Sequence, residues 1–68
     1  MKSAKAVKKI RLELFKTRAE LATLLGISAQ SIFHYENELR EPKLHIVKKL
    51  LDIAKKNKID VTSSDFFE

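Results

Sequence analysis

Hydrogen-bonding side chains cluster in the stretch SAQSIFHYEN, residues 28–37, at Ser28, Gln30, Ser31, His34 and Asn37. None of them has the company that catalysis requires. A nucleophile needs a neighbouring base, a phosphate-cradling loop needs several glycines, and a metal needs closely spaced ligands. The chain has no cysteine, a single glycine at position 26, and two histidines, His34 and His45, too few and too far apart for a zinc pattern. Asp52, Asp60 and Asp65 show no metal spacing either. The expectation is therefore no enzyme, no cofactor and no metal. What these groups can do is recognise a surface, with Arg18 on one side of them in sequence and Arg40 and Lys43 on the other.

The charge balance says what kind of surface. Fourteen Lys and Arg stand against nine Asp and Glu, a formal charge of +5, so a polyanion is a natural partner. With 44% hydrophobic and 34% charged residues, the chain reads as globular rather than disordered. Its 68 residues are read as one small domain, 1–68, with a thin core of the kind that a partner subunit often completes. No apolar run approaches the roughly 18 residues of a membrane span. The basic N-terminus MKSAKAVKKI lacks the apolar stretch of a signal peptide. A soluble, cytoplasmic protein with no membrane partner is expected.

The elements that must position these groups follow from hydrophobic period and capping chemistry. Val7, Ile10 and Leu14 mark one face of a first helix from Ser3, its expected N-cap, to about Leu14. Thr17 followed by Glu20 is a capping-box pattern ahead of Leu21, Ala22, Leu24 and Leu25, and Gly26 ends that short second helix. Ser28 caps a third helix, with Ile32 and Tyr35 inward and Asn37 as its left-handed terminator. Pro42 suits the first turn of a fourth helix, whose apolar stripe is Leu44, Val47, Leu51 and Ala54, widened by Leu50. Lys55, Lys56 and Lys58 gather at its C-terminal end, where cations complement the dipole. Thr62 and Asp65 cap a brief fifth helix carrying Phe66 and Phe67. The fold class is all-α, a compact bundle of about five short helices.

The lone glycine fits this scheme. Two helices crossing steeply through a three- to four-residue turn need a positive φ at the bend, which glycine adopts without strain. Ala22, one turn earlier, lets the inner faces approach. That is the helix-turn-helix unit, here at about residues 18–37, whose second helix is held out for the major groove of DNA.

The stretch RAELATLLGISAQSIFHYEN resembles the helix-turn-helix of phage Cro and repressor proteins, the XRE-type family. The likeness lies in an alanine, a glycine four residues later, and hydrophobics at each expected core position. The following YENELREPKLHIVKKLLDIAKK is similar to that family's continuation, an EN corner and an REP leading into the fourth helix. It covers the chain from about Val7 to Phe67 and implies a lambda-repressor-like DNA-binding domain. Departures are local. Where the family has Gly-Leu-Thr-Gln, this chain has FKTR; Phe15 is expected to take over the leucine's packing and Lys16 to face solvent or phosphate. Arg18 stands where a glutamine commonly touches a phosphate, and an arginine does that with more charge and longer reach. Glu38 replaces the glycine after EN, so Asn37 is expected to supply the left-handed residue.

With Ile32 and Tyr35 inward, Gln30, Phe33, His34 and Asn37 point away from the core. The first helical turn lies closest to base edges, which adds Ser28, Ala29 and Ser31. The resemblance implies base contacts from Ala29, Gln30 and His34. The Gln30 amide can pair bidentately with adenine N6 and N7, against the bland reading of an exposed helix glutamine. Ala29 either meets a thymine methyl or simply opens the helix. His34 donates to a base or a phosphate, or is merely solvated. Phe33 packs on thymine methyls or sugars, or folds over the core edge, and the second is preferred. Expected base contacts are thus Ala29, Gln30, Ser31 and His34, and expected phosphate contacts Arg18, Ser28, Asn37, Arg40 and Lys43. Glu36 is expected to orient Arg11 or Arg18 internally.

One copy covers few base pairs, and the family implies a two-fold pair with recognition helices about 34 Å apart. Val61, Phe66 and Phe67 are the expected contacts of such a weak homodimer, against the alternative that the phenylalanines finish the core. The function expected is sequence-specific binding of double-stranded operator DNA by a small transcriptional repressor. The alternative, from a different class, is a protein-interaction module, an antitoxin or anti-repressor whose DNA binding is secondary or lost.

Overall fold

The computed structural model describes residues 2–67, Lys2 by its backbone alone. Four α-helices follow one another: α1 (Lys2–Glu13), α2 (Arg18–Leu25), α3 (Ala29–Glu36) and α4 (Leu44–Lys56). A single 3₁₀ turn at Ser63–Asp65 stands where a fifth helix was expected. Among the described residues there is no strand.

The starts of the two central helices are set by their own side chains. Before α2 the Thr17 hydroxyl accepts from the Glu20 N–H at 3.1 Å, and the Glu20 carboxylate accepts from the Thr17 N–H at 2.8 Å. That backbone bond holds the Glu20 carboxyl below the usual carboxylate range. The Ser28 hydroxyl accepts from the Ser31 N–H at 3.2 Å and starts α3. Two other starts differ from expectation. Ser3 lies inside α1, buried, and its Oγ has no hydrogen-bond partner among the described residues. Pro42 precedes α4 rather than opening it, because Lys43, extended at ψ 160, is the N-cap.

The ends of all four helices are built alike. In each, a residue one or two places past the helix takes a positive φ, and two backbone bonds close over the last turn as a Schellman motif. After α1, Phe15 (φ 56) donates to Leu12 O and Lys16 to Arg11 O. After α2, Gly26 (φ 72) donates to Thr23 O and Ile27 to Ala22 O. Glu38 (φ 61) and Leu39 repeat this over Tyr35 and His34, and Lys58 (φ 56) and Ile59 over Lys55 and Ala54. Glycine therefore serves only one of four such bends.

This corrects two expectations. Asn37 is not the left-handed residue: its φ is −103, and Glu38 takes the bend itself. Phe15 does not replace a core leucine: it is 94% exposed, because a left-handed backbone at that point directs its side chain to solvent. Leu14 packs against the core instead.

The core draws on every element. Val7 and Ile10 of α1, Leu21, Ala22 and Leu25 of α2, and Ile32 and Tyr35 of α3 form one buried cluster with Ile46, Val47, Leu50 and Ala54 of α4. The α4 stripe is rotated from the one expected, since Leu44 is exposed and Ile46 takes its place. Ile59, Val61 and Phe66 close the base of the cluster. Val61 and Phe66 are thus part of this protomer's own interior, and Phe67, 48% exposed, is the one of the three that another molecule can reach.

These helix ends predict opposite responses to two substitutions. A Cβ on Gly26 meets open space, its nearest neighbour being Lys49 Nζ at 4.0 Å, so only the positive φ penalises a side chain there. Gly26→Ala should lower stability by about 1 kcal/mol, and Phe15→Gly should raise it by about the same. In a domain of this size that is a shift of roughly 4–8 °C in Tm, read by thermal melting. A Phe15→Gly protein no more stable than wild type would contradict the strained end of α1.

Candidate nucleic-acid interface

α3 is the element that presents the polar stretch, and its orientation is set by a carboxylate. Glu36, with its side chain 1% exposed, lies at the end of α3 on the side facing α1 and α2. Arg11 of α1 grips it with two bonds, Nε to Oε2 at 2.6 Å and Nη2 to Oε1 at 3.0 Å. Arg18, at the start of α2, adds Nε to Oε1 at 3.1 Å. Arg11 also donates from Nη1 to Lys16 O at 3.4 Å, tying in the loop between α1 and α2. Its guanidinium is pushed above the ordinary arginine pKa, chiefly by the bond to Glu36. Both arginines proposed as partners of Glu36 use it at once.

The far side of α2 is held differently. Lys49 of α4 donates to Leu25 O at 3.2 Å, occupying a carbonyl at the end of α2 beside the Gly26 bend. With α2 held at both ends, α3 leaves the bend with Ile32 and Tyr35 buried and its opposite face in solvent.

The exposed face carries most of the residues singled out in the sequence. Ala29 and Gln30 are exposed in its first turn, and the Gln30 amide makes no hydrogen bond to a described residue. Ser31 is half-buried, its hydroxyl 3.0 Å from that of Ser28. His34 is half-buried with its ring 6.1 Å from that of Phe33. Ser28 and Asn37 both use side-chain groups to hold the helix: Ser28 accepts from Ser31, and Asn37 Nδ2 donates to Phe33 O at 2.8 Å. Arg40 and Lys43 are exposed in the segment between α3 and α4, without a side-chain bond to a described residue.

Two features had no signal in the sequence. The Lys49 bond joins residues 24 apart, and nothing local distinguishes that lysine from its neighbours. The Arg18 guanidinium lies over the Phe33 ring, 5.3 Å from its centroid. Phe33, 43% exposed, is therefore on the outer face under a cation and does not belong to the buried cluster, which corrects the preference for the core edge.

The two arginines should differ in what they hold. Glu36→Gln leaves Arg11 nearly buried without its counter-ion and should cost about 3 kcal/mol of stability. Arg18, its side chain 43% exposed, is screened by water, and Arg18→Ala should cost less than about 1 kcal/mol. Denaturant titration of both variants checks this. Equal losses would mean that Glu36 does not anchor α3 through Arg11.

A helix ended by a left-handed glycine, a short turn and an outward second helix is a helix-turn-helix by geometry. A protein-family model described as helix-turn-helix matches residues 7–57, three quarters of the chain. No curated protein and no solved structure matches it. Among the described residues no helix is long and apolar enough to cross a membrane. The chain belongs to the helix-turn-helix family, as a DNA-binding regulator of the Cro/XRE type.

Proposed function

We propose that the protein is a small cytoplasmic repressor that binds operator DNA sequence-specifically and blocks transcription by occupying the site. α3 lies in the major groove, with Ala29, Gln30, Ser31 and His34 toward base edges. The observation that supports this most is the unpaired Gln30 amide, standing in the first turn of a helix that Glu36 locks in place. Arg18, Arg40 and Lys43 flank α3 and take phosphates. Ser28 and Asn37 add weaker contacts through the donors and acceptors that their capping bonds leave over. All of it is carried by one domain, 1–68. Two copies pair weakly through the tail that exposes Phe67, and they place two α3 helices in successive major grooves.

The reading as an interaction module has one observation in its favour, the exposed Phe15 and Leu39. Salt dependence separates the two readings. Three cations per subunit neutralise roughly six phosphates in a dimer, so log K should fall with log salt at a slope of about −5. Selection of duplexes from a random-sequence pool, followed by this salt series, should recover two-fold-symmetric sites with half-sites one helical turn apart. A slope near zero would remove DNA binding as the function, and asymmetric single sites would remove the pairing.

A further inference from the structure

The proposed base-reading groups leave one side chain on the outer face of α3 unused. Stepping 100° per residue, Phe33 falls between Ala29, one turn before it, and Asn37, one turn after, and flanks Gln30. A phenylalanine there is 43% exposed and contributes nothing to the buried cluster. Yet it is not loose. The Arg18 guanidinium covers it at 5.3 Å, and that guanidinium is itself bonded to the buried Glu36 carboxylate at 3.1 Å. On the helix side, the Phe33 carbonyl accepts from Asn37 Nδ2 at 2.8 Å. A large apolar group is thus held outward, with a cation on it, in the middle of the face that carries Gln30 and His34.

We propose that Phe33 is a specificity-determining residue, whose ring, held by Arg18, reads the 5-methyl group of a thymine in the major groove. The inference rests on the DNA-binding reading above. Of the groups that base pairs present in that groove, the thymine methyl is the apolar one. The amino hydrogens of adenine and cytosine, and the N7 and O6 of guanine, would lose water against a phenyl ring with no bond in return. Nε of Arg18 is bonded to Glu36, while its terminal nitrogens make no hydrogen bond to a described residue and are free for a phosphate near that thymine. One arginine then fixes the ring and the backbone register together. Ring order is supplied before binding, so less freedom is lost when the methyl docks.

The test uses the full chain and a duplex that the wild-type protein selects from a random-sequence pool. Each thymine is replaced in turn by uracil, which removes only the methyl, and affinity is measured by fluorescence anisotropy at fixed salt. At one position per half-site, uracil should weaken wild-type binding about fourfold, the value of one buried methyl. Phe33→Ala should bind the thymine and uracil duplexes equally, while Phe33→Leu, which keeps an apolar side chain, should retain part of the ratio. Arg18→Ala should reduce the ratio as well as the overall affinity. Circular dichroism of the variants should match wild type, since the ring lies outside the core. A thymine-to-uracil ratio unchanged by Phe33→Ala and Phe33→Leu at every position overturns the assignment, and so does wild-type binding that ignores the methyl throughout. A wild-type protein that selects no duplex overturns the DNA-binding reading itself, and the inference with it.

Discussion

A single buried carboxylate ties three helices together. Glu36 sits at the end of α3 and accepts from Arg11 of α1 and Arg18 of α2. An unpaired charge at a position 1% exposed would be costly, so the carboxylate holds α3 in the one orientation where both guanidiniums reach it. Apolar packing of Ile32 and Tyr35 keeps α3 on the body of the protein. The ion pairs set its rotation, and so decide which residues face outward. Burial is non-directional, while a bidentate arginine–carboxylate pair is directional.

The second constraint is the way each helix stops. Four left-handed residues close four helices, and these bends keep a short chain compact enough to bury one core. Three of the four are not glycine, so each carries strain that packing must offset. The glycine falls at the bend between α2 and α3. Lys49 already occupies a carbonyl beside that bend, and the departing α3 carries the residues proposed to read bases. The region with the most to position is thus the one whose backbone is least strained.

Local chemistry was legible in the sequence, and long-range geometry was less so. Thr17 with Glu20, Ser28 and Gly26 are cap residues whose partners lie within a few positions, and the structure places each as expected. The left-handed bends at Phe15, Glu38 and Lys58 were hidden because those residue types do not announce a positive φ. The α4 stripe was read slightly rotated: Val47, Leu50 and Ala54 are buried as expected, but Ile46 completes the inner face where Leu44 was expected, because apolar residues stand at both positions. Val61 and Phe66 looked available for a partner, but a thin core recruits the tail first. In the candidate site, the outward residues Gln30 and Asn37 followed from helical period alone, and Ala29 from its place in the first turn. The stacking of Arg18 on Phe33 spans fifteen positions between two helices, and neither residue type requires the other.

Everything proposed for the molecule depends on the outer face of α3 being the surface that meets duplex DNA. Backbone amide shifts, followed by NMR while a selected duplex is added to the full chain, address that surface residue by residue. The account predicts that the largest changes fall on Ala29, Gln30, Phe33 and His34, with smaller ones at Arg18, Arg40 and Lys43 and almost none at Lys55 and Lys56. Shifts concentrated on the C-terminal end of α4, with α3 left unperturbed, would contradict it.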